Sequence, residues 1–205
     1  MKIISNFYDG KLINSESSNT LSLYKPTTGE EYAQIPITTE KEFQTILGKM
    51  KIAQVSWANT PITKRSSILF KFKSLIEKNF DDIARIISEE HGKVFSDAKG
   101  SLQRGLEVVD FACGIPHLLK GNHSVNVGTN VDSFDIKQPL GICAGITPFN
   151  FPAMVPMWMF PISIACGNAF MLKPSEKVPQ CSLKLGELLS EAGLPENVFT
   201  IVNGD

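Results

Sequence analysis

Residues 140–173 read LGICAGITPFNFPAMVPMWMFPISIACGNAFMLK, and the fold of the chain follows from this stretch. Residues 140–147 are a continuous apolar run, which is typical of a strand buried on both faces of a sheet. A helix is predicted over 152–166 and a second strand over 169–173. A strand, a helix and a strand in this order predict two parallel strands joined by a right-handed crossover.

The same alternation continues downstream. A helix over 179–192, ended by Gly193, and a strand over 198–202 complete a β-α-β-α-β unit. Residues 139–205 are therefore expected to form the start of a doubly wound, Rossmann-like parallel sheet in an α/β chain. The last strand is expected to leave an unpaired apolar edge, and such an edge favours self-association.

Upstream, residues 1–122 combine hairpin and helix signals. Asp9-Gly10 favours the positive φ values of a tight hairpin turn. Strands are predicted at 6–8, 11–13, 21–24 and 32–35. Between these segments and the parallel sheet, residues 123–138 are expected to form a strand pair of the kind that joins subunits, with strands at 124–128 and 134–138.

Helix boundaries are marked by capping residues. Thr39 and Glu42 form a capping box that begins one helix. Thr60 is predicted to cap a second helix that has Pro61 at its first position. Gly92 is expected to end a third helix.

A fourth helix is predicted over 97–115, and its faces differ in polarity. The solvent stripe contains Lys99, Gln103, Glu107 and Asp110, and the apolar stripe contains Leu102, Leu106, Val109 and Cys113. Arg104 lies outside the solvent stripe, on the flank that carries Val108 and Phe111. An arginine at that place is expected either to have an internal ion-pair partner or to bind an anionic ligand.

Composition excludes several classes of protein. Of the 205 residues, 42% are hydrophobic and 20% charged, as in soluble globular proteins, and the net charge of −1 argues against nucleic-acid binding. Cys113, Cys143, Cys166 and Cys181 lack zinc-ligand spacing, and so do His91, His117 and His123, so no metal site is expected. Reduced, mostly buried thiols and the lack of a leader pattern predict a cytoplasmic protein.

A membrane span is weighed and set aside. Residues 138–172 contain no charged side chain and are long enough to cross a bilayer. The prolines in this segment break it into several short elements, namely Pro139, Pro148, Pro152, Pro156 and Pro161. The sequence therefore predicts no association with a membrane.

In open parallel sheets, ligands bind beyond the carboxyl ends of the strands. Residues 145–152 and 171–176 lie at two such ends, and the Rossmann glycine fingerprint is missing there because Gly141 and Gly145 do not satisfy it. Any dinucleotide would bind without that glycine turn.

These two segments resemble the aldehyde dehydrogenase superfamily, through PFNFP at 148–152 and KPSE at 173–176. The resemblance covers essentially the whole chain. The string FNFPAMVPMWMFP at 149–161, and RG at 104–105 followed by EVVDFA at 107–112, are similar to the CoA-acylating methylmalonate-semialdehyde dehydrogenase branch. The resemblance implies the aldehyde dehydrogenase fold, NAD as cofactor, CoA as co-substrate and a homo-oligomer, dimeric or tetrameric.

By this resemblance, Asn150 donates a side-chain N–H to the oxyanion that forms when a cysteine thiolate attacks the aldehyde. A neutral donor suits that position because it gains most where negative charge develops. The alternative is an asparagine that caps the helix beginning near Pro152.

The resemblance also implies a cofactor site. Lys173 and Glu176 would bind the adenosine ribose hydroxyls of NAD, while Thr147 and Phe149 would contact the cofactor. Lys177 stands where the branch has arginine, which keeps the charge but leaves stacking or bidentate contacts in doubt. The alternative for Lys173 and Glu176 is a surface pair at a helix entry.

Substrate contacts follow in the same way. Arg104 matches the arginine that holds the substrate carboxylate, with an internal ion pair as the alternative. Phe151, Val155 and Trp158 match residues that line the aldehyde tunnel, with plain core packing as the alternative.

The implied enzyme is an oxidoreductase of valine catabolism. It oxidises methylmalonate or malonate semialdehyde with NAD, forms propionyl-CoA or acetyl-CoA and releases carbon dioxide. The nucleophilic cysteine, the general-base glutamate and the glycine-rich loop match no residue of this chain, so residues 1–205 are expected to be an N-terminal part, truncated before the catalytic domain and inactive alone. Alternatives are another branch, such as succinate-semialdehyde oxidation, and a non-catalytic remnant or binding module.

Overall fold

The computed structural model describes residues 2–205. Its strands are β1 (Lys2–Ile3), β2 (Asn6–Tyr8), β3 (Lys11–Ile13), β4 (Thr20–Tyr24), β5 (Glu31–Pro36), β6 (His123–Gly128), β7 (Val131–Phe134), β8 (Ile142–Ile146), β9 (Ala169–Lys173) and β10 (Phe199–Ile201). Its helices are α1 (Glu40–Ala58), α2 (Ile62–Lys78), α3 (Phe80–His91), α4 (Phe95–Cys113), α5 (Ile115–Leu118), α6 (Met154–Ala165) and α7 (Gln180–Glu191).

The main sheet has the strand order β3-β2-β10-β9-β8. Strands β8, β9 and β10 are parallel, which confirms the predicted β-α-β-α-β unit. The prediction that the last strand has a free edge is wrong, because β2 pairs with β10 in the antiparallel direction. Asn203 reinforces this junction: its main-chain N–H donates to Asn6 Oδ1 at 2.9 Å and its side chain donates to the Ser5 carbonyl at 2.8 Å.

The free edge of the parallel strands is β8 instead. This strand pairs only with β9, and its Ala144 and Ile146 are exposed while Gly145 is buried. The prediction of a strand buried on both faces is therefore wrong for β8. Strand β9 fits that description, since it has a neighbour on each side and is buried up to Lys173.

Helices cover both faces of the parallel strands. On one face α6 and α7 pack against the sheet, and the Phe160 and Phe199 rings lie 4.8 Å apart. On the other face α1 brings Ile46 and Met50 against Ala169 and Met171. The two crossover helices share a face because the chain moves along the sheet in one direction, which leaves the opposite face to α1.

Helix α4 packs closely on α6, and this contact places the α4 side chains beside the β8–α6 loop. Gly105 makes the approach possible. A Cβ atom there would lie 2.3 Å from Met157 Cε and 3.3 Å from Met154 Cα, so a larger residue would push the helices apart.

Most local predictions are confirmed. The Asp9-Gly10 turn has φ values of 51° and 69°, as a tight hairpin requires. The Thr39–Glu42 capping box is present, and Gly92 ends α3 with a φ of 83°.

Three local details differ. The second strand of the exposed hairpin is β7, not 134–138, because Asn130 takes a φ of 60° and turns the chain earlier. Thr60 does not cap α2, because its hydroxyl donates to the Ser56 carbonyl at 3.2 Å and Pro61 stands at the N-cap. Strand β1, parallel to β5, was not predicted, since two residues are too few to give a pattern.

Within residues 2–205, no helix has both the length and the apolar character that crossing a membrane requires.

Candidate functional site

A cleft of about 620 Å³ lies where α4 passes the loop between β8 and α6. It is lined by His91, Lys93, Ser96, Asp97, Gly100, Ser101, Arg104, Asn150 and Phe151. Three predicted site residues, Arg104, Asn150 and Phe151, are therefore brought together although two different elements supply them.

Asn150 is exposed in this cleft. The alternative of a helix cap is wrong, because Ala153 is the N-cap of α6 and no side chain makes a capping hydrogen bond there. In residues 2–205 the only hydrogen bond to Asn150 involves its main-chain carbonyl. The side-chain amide thus keeps its N–H groups for another acceptor.

Arg104 is exposed on the α4 wall of the cleft. The ion pairs formed among residues 2–205 do not include it, so the alternative of an internal ion pair is wrong. A guanidinium without a carboxylate partner, on the wall of a cleft, can bind a carboxylate with two parallel hydrogen bonds.

Lys93 belongs to the same cleft and was missed from the sequence. Its Nζ donates to the Asn150 carbonyl at 2.9 Å and lies 4.6 Å from the centre of the Phe151 ring. Burial lowers the pKa of Lys93, and nearby Asp97 opposes that shift. Nothing in the local pattern marks this lysine, since it follows a helix-ending glycine as many surface lysines do.

The predicted cofactor residues lie at the carboxyl ends of β8 and β9. Thr147 is buried, and its N–H donates to the Lys173 carbonyl at 3.1 Å, which ties the two strand ends together. Lys173 Nζ donates to the Gly204 carbonyl at 2.9 Å and lies 3.8 Å from Glu176 Oε2.

Two further clefts lie beside Lys173 and Glu176. One, of about 380 Å³, is lined by Lys173 together with Thr38, Glu40, Phe43, Ala144, Gly145, Ile146, Met171, Val202 and Asn203. The other, of about 780 Å³, is lined by Glu176, Lys177, Phe149 and His91 together with β4 residues, Pro26, Glu90 and Val178. Lys177 Nζ lies 4.8 Å from the centre of the Phe149 ring, so the lysine at this position still makes a cation–π contact.

The Lys173–Glu176 pair fits a ribose. Each ribose hydroxyl can donate and accept a hydrogen bond, and an ammonium beside a carboxylate offers one group of each kind. Their side chains are 18% and 34% exposed, so both can reach a ligand at the end of β9.

Val155 and Trp158 do not line the cleft of Asn150. Val155 is partly buried, whereas Trp158 on α6 is exposed, which argues against core packing for the tryptophan. Their role as tunnel residues stays a prediction.

Glu90 is a buried carboxyl group that the sequence analysis missed. It accepts hydrogen bonds from the main-chain N–H groups of Gln180 and Cys181, both at 2.9 Å, and so holds the first turn of α7. Burial raises the pKa of Glu90 to about 8, and these two hydrogen bonds lower it only in part. The anchor fixes α7 just after the segment that carries Lys173 and Glu176.

Three of the four free cysteines have raised pKa values. Burial raises the pKa of Cys113 to about 11 and also raises the pKa values of Cys166 and Cys181. Because the thiolate is the nucleophilic form, none of these three is activated for attack on a carbonyl. In residues 2–205, no group of three or more His, Cys, Asp or Glu side chains is arranged to hold a metal ion.

Comparison with known proteins identifies the family of this chain. The profile described as the aldehyde dehydrogenase family matches residues 12–205. The chain is 45% identical to a malonate-semialdehyde dehydrogenase of Pseudomonas aeruginosa, over 100% of this chain and 41% of that protein. It is 47% identical to the mitochondrial, acylating methylmalonate-semialdehyde dehydrogenase of Arabidopsis thaliana, over 98% of this chain and 33% of that protein.

A solved structure is similar in the same way. A Sinorhizobium meliloti protein assigned as a methylmalonate-semialdehyde dehydrogenase, crystallised with NAD, superimposes with a TM-score of 0.97 and 44% identity, over 100% of this chain and 42% of that chain. The chain thus spans about two fifths of that protein's length and of the Pseudomonas protein's length.

Proposed function

This chain belongs to the aldehyde dehydrogenase family, and we propose on that premise that it serves the NAD-dependent oxidation of malonate or methylmalonate semialdehyde. One observation carries the proposal: the Asn150 amide and the Arg104 guanidinium share a cleft, and within residues 2–205 neither has a side-chain partner. A semialdehyde has a carboxylate at one end and a carbonyl at the other, so it can engage both groups. The cysteine nucleophile and the general base would come from sequence outside these 205 residues.

Asn150 would stabilise the reacting oxygen. When a thiolate adds to the aldehyde, the carbonyl oxygen becomes an anion, and an amide N–H gains interaction energy as that charge develops. Arg104 would hold the distal carboxylate and so orient the carbonyl toward Asn150. Phe151, which also lines the cleft, would restrict water there.

Lys173 and Glu176 would hold NAD by the adenosine ribose, with Thr147, Phe149 and Lys177 beside it. NAD, when bound, accepts the hydride that the aldehyde loses. Support comes from the donor–acceptor pair at the end of β9 and from the NAD in the Sinorhizobium structure. CoA as the acyl acceptor is supported by the name of the Arabidopsis relative, which is an acylating enzyme.

The β6–β7 hairpin would pair with a second copy of the chain. Both strands are fully exposed. Their exposed apolar side chains are Val125, Val127, Val131 and Phe134, and contact with a second subunit would bury them. Residues 1–122, 123–138 and 139–205 would then serve as support, subunit contact and nucleotide-binding core. Four free thiols fit a reducing compartment such as the cytoplasm.

The test is a chimera of residues 1–205 with the remaining sequence of the Pseudomonas relative. We expect NADH formation from malonate and methylmalonate semialdehyde, dependent on CoA, and a much lower kcat/KM with succinate semialdehyde. Preference for succinate semialdehyde, or CoA-independent turnover, would contradict the proposed substrate and acceptor.

A further inference from the structure

We propose that Lys93 is a positioning residue for Asn150, because its ammonium group fixes the loop that aims the asparagine amide into the cleft. Such a role rests on the proposed function, since Asn150 needs a defined position only when it donates to a reacting oxygen. Lys93 acts through Asn150 and has no contact with the reacting atoms of its own.

Lys93 makes the only hydrogen bond to the main chain of the loop at 148–150 in the described part of the protein. Before it, the Thr147 N–H donates to the Lys173 carbonyl at 3.1 Å, and after it the Val155 N–H donates to the Phe151 carbonyl at 3.3 Å. Among residues 148–150, the only main-chain group that makes a hydrogen bond is the Asn150 carbonyl, and its donor is Lys93 at 2.9 Å. The main chain of the segment that carries Asn150 is therefore held by this one hydrogen bond, beside the side-chain contact of Phe149 with Lys177.

Lys93 is itself well anchored. Gly92 ends α3 in the left-handed conformation, and a Cβ atom there would lie 2.9 Å from Pro26 Cγ. The Ser88 hydroxyl donates to the Lys93 carbonyl at 2.6 Å. Because the main chain of Lys93 is fixed, its ammonium group has a defined position and can restrain the Asn150 carbonyl.

The ammonium group suits the task chemically. It donates to a carbonyl while its charge lies 4.6 Å from the centre of the Phe151 ring, so the two residues at the turn are held by one group. A charged donor makes a stronger hydrogen bond to a carbonyl than a neutral one. An apolar side chain of the same length would lose both interactions.

Two roles for Lys93 predict different kinetics. If it positions Asn150, every aldehyde loses rate when it is removed, because every aldehyde forms the same oxyanion. If it binds the substrate carboxylate directly, only semialdehydes are affected and KM rises. Propanal, which has no carboxylate, distinguishes the two.

In the chimera, Lys93→Met should lower kcat roughly ten- to a hundredfold for both malonate semialdehyde and propanal, with KM changed less than about twofold. Lys93→Arg should restore most of the rate. Combined with Asn150→Ala, Lys93→Met should cause little further loss, because both changes remove the same interaction. Lys99→Met is the matched control, since Lys99 pairs with Asp81 at 2.8 Å and does not line the cleft.

An unchanged kcat, a loss confined to semialdehydes, or additive losses in the double variant would each overturn this role. Backbone 15N relaxation on the 205-residue chain gives a readout without activity. Lys93→Met should lower the amide order parameters of Phe149, Asn150 and Phe151 and leave those of the later turns of α6 unchanged. If the chimera fails to oxidise semialdehydes, the proposed function fails, whereas unchanged order parameters rule out Lys93 as a restraint on this loop whatever the activity.

Discussion

Arg104 places a guanidinium group on the wall of a cleft, and within residues 2–205 no carboxylate pairs with it. In the chimera, Arg104→Ala should lower kcat/KM for malonate semialdehyde by roughly ten- to a hundredfold, the usual effect of losing a charge-assisted hydrogen bond. Propanal turnover should change far less. Equal losses for the two substrates would mean that Arg104 supports the fold and not the substrate.

The sequence predicts a site residue when that residue departs from the local polarity pattern or belongs to a recognisable motif. Arg104 interrupts the polarity of α4, and Asn150 lies in a motif at a strand end, so the sequence marks both as candidates. Lys93 contacts Asn150, 57 positions further along the chain, and Glu90 contacts Gln180, 90 positions further along. Charged residues are common at helix ends, so the local sequence marks neither residue. Only the assembled fold shows that Glu90 is buried.

At the scale of elements, Glu90 makes the attachment of α7 depend on pH. Its pKa is raised from an ordinary value of 4.5 to about 8 by burial, with Lys2 the charged group that opposes the shift. A raised pKa in the folded state means that the stabilisation is fully present below about 4.5 and is lost as pH rises through about 8.

The free energy of unfolding should therefore fall by on the order of 3 kcal/mol between pH 5 and pH 8 on account of this group. Glu90→Gln should flatten that dependence, because the amide stays neutral and can still accept from one N–H. Urea denaturation at several pH values measures the slope, and Glu89→Gln is the matched control because Glu89 is exposed. A slope that Glu90→Gln leaves unchanged would show that Glu90 does not titrate in this range.

Element types were predictable because hydrophobic period and caps are local. The β9 strand and the α1 capping box agree with the structure for that reason. Pairing was not predictable: nothing near Phe7 indicates that it lies opposite Ile201 across the sheet. Because strand pairing is not a local property, the sequence wrongly predicted a free edge at β10 and a β8 strand buried on both faces.

At the scale of the whole molecule, two exposed apolar surfaces remain. On and beside β8, Ile146 is 77% and Leu140 is 91% exposed, and on the hairpin Phe134 is 70% exposed. An unpaired strand edge with apolar side chains is a template for association. Light scattering on the 205-residue chain should show dimers or larger species.

Separate Ile146→Lys and Phe134→Lys variants identify the surface that associates, since an edge lysine disfavours strand addition. A monodisperse monomer of the unmodified chain would contradict the expectation.

The chain alone should also form no NADH from aldehydes, because Cys113, Cys166 and Cys181 are held as thiols and no residue matches the family's nucleophile. Aldehyde-dependent NADH formation that Asn150→Ala abolishes would contradict that prediction.

The oxyanion role of Asn150 is tested most directly by kcat for malonate semialdehyde in the chimera, with and without Asn150→Ala, where addition of the thiolate to the aldehyde limits the rate. Removing the donor should lower kcat by about a hundredfold or more while KM changes little, since the hydrogen bond strengthens as the oxygen becomes charged. An unchanged kcat, with the variant folded and binding NAD as before, would contradict a catalytic role for Asn150.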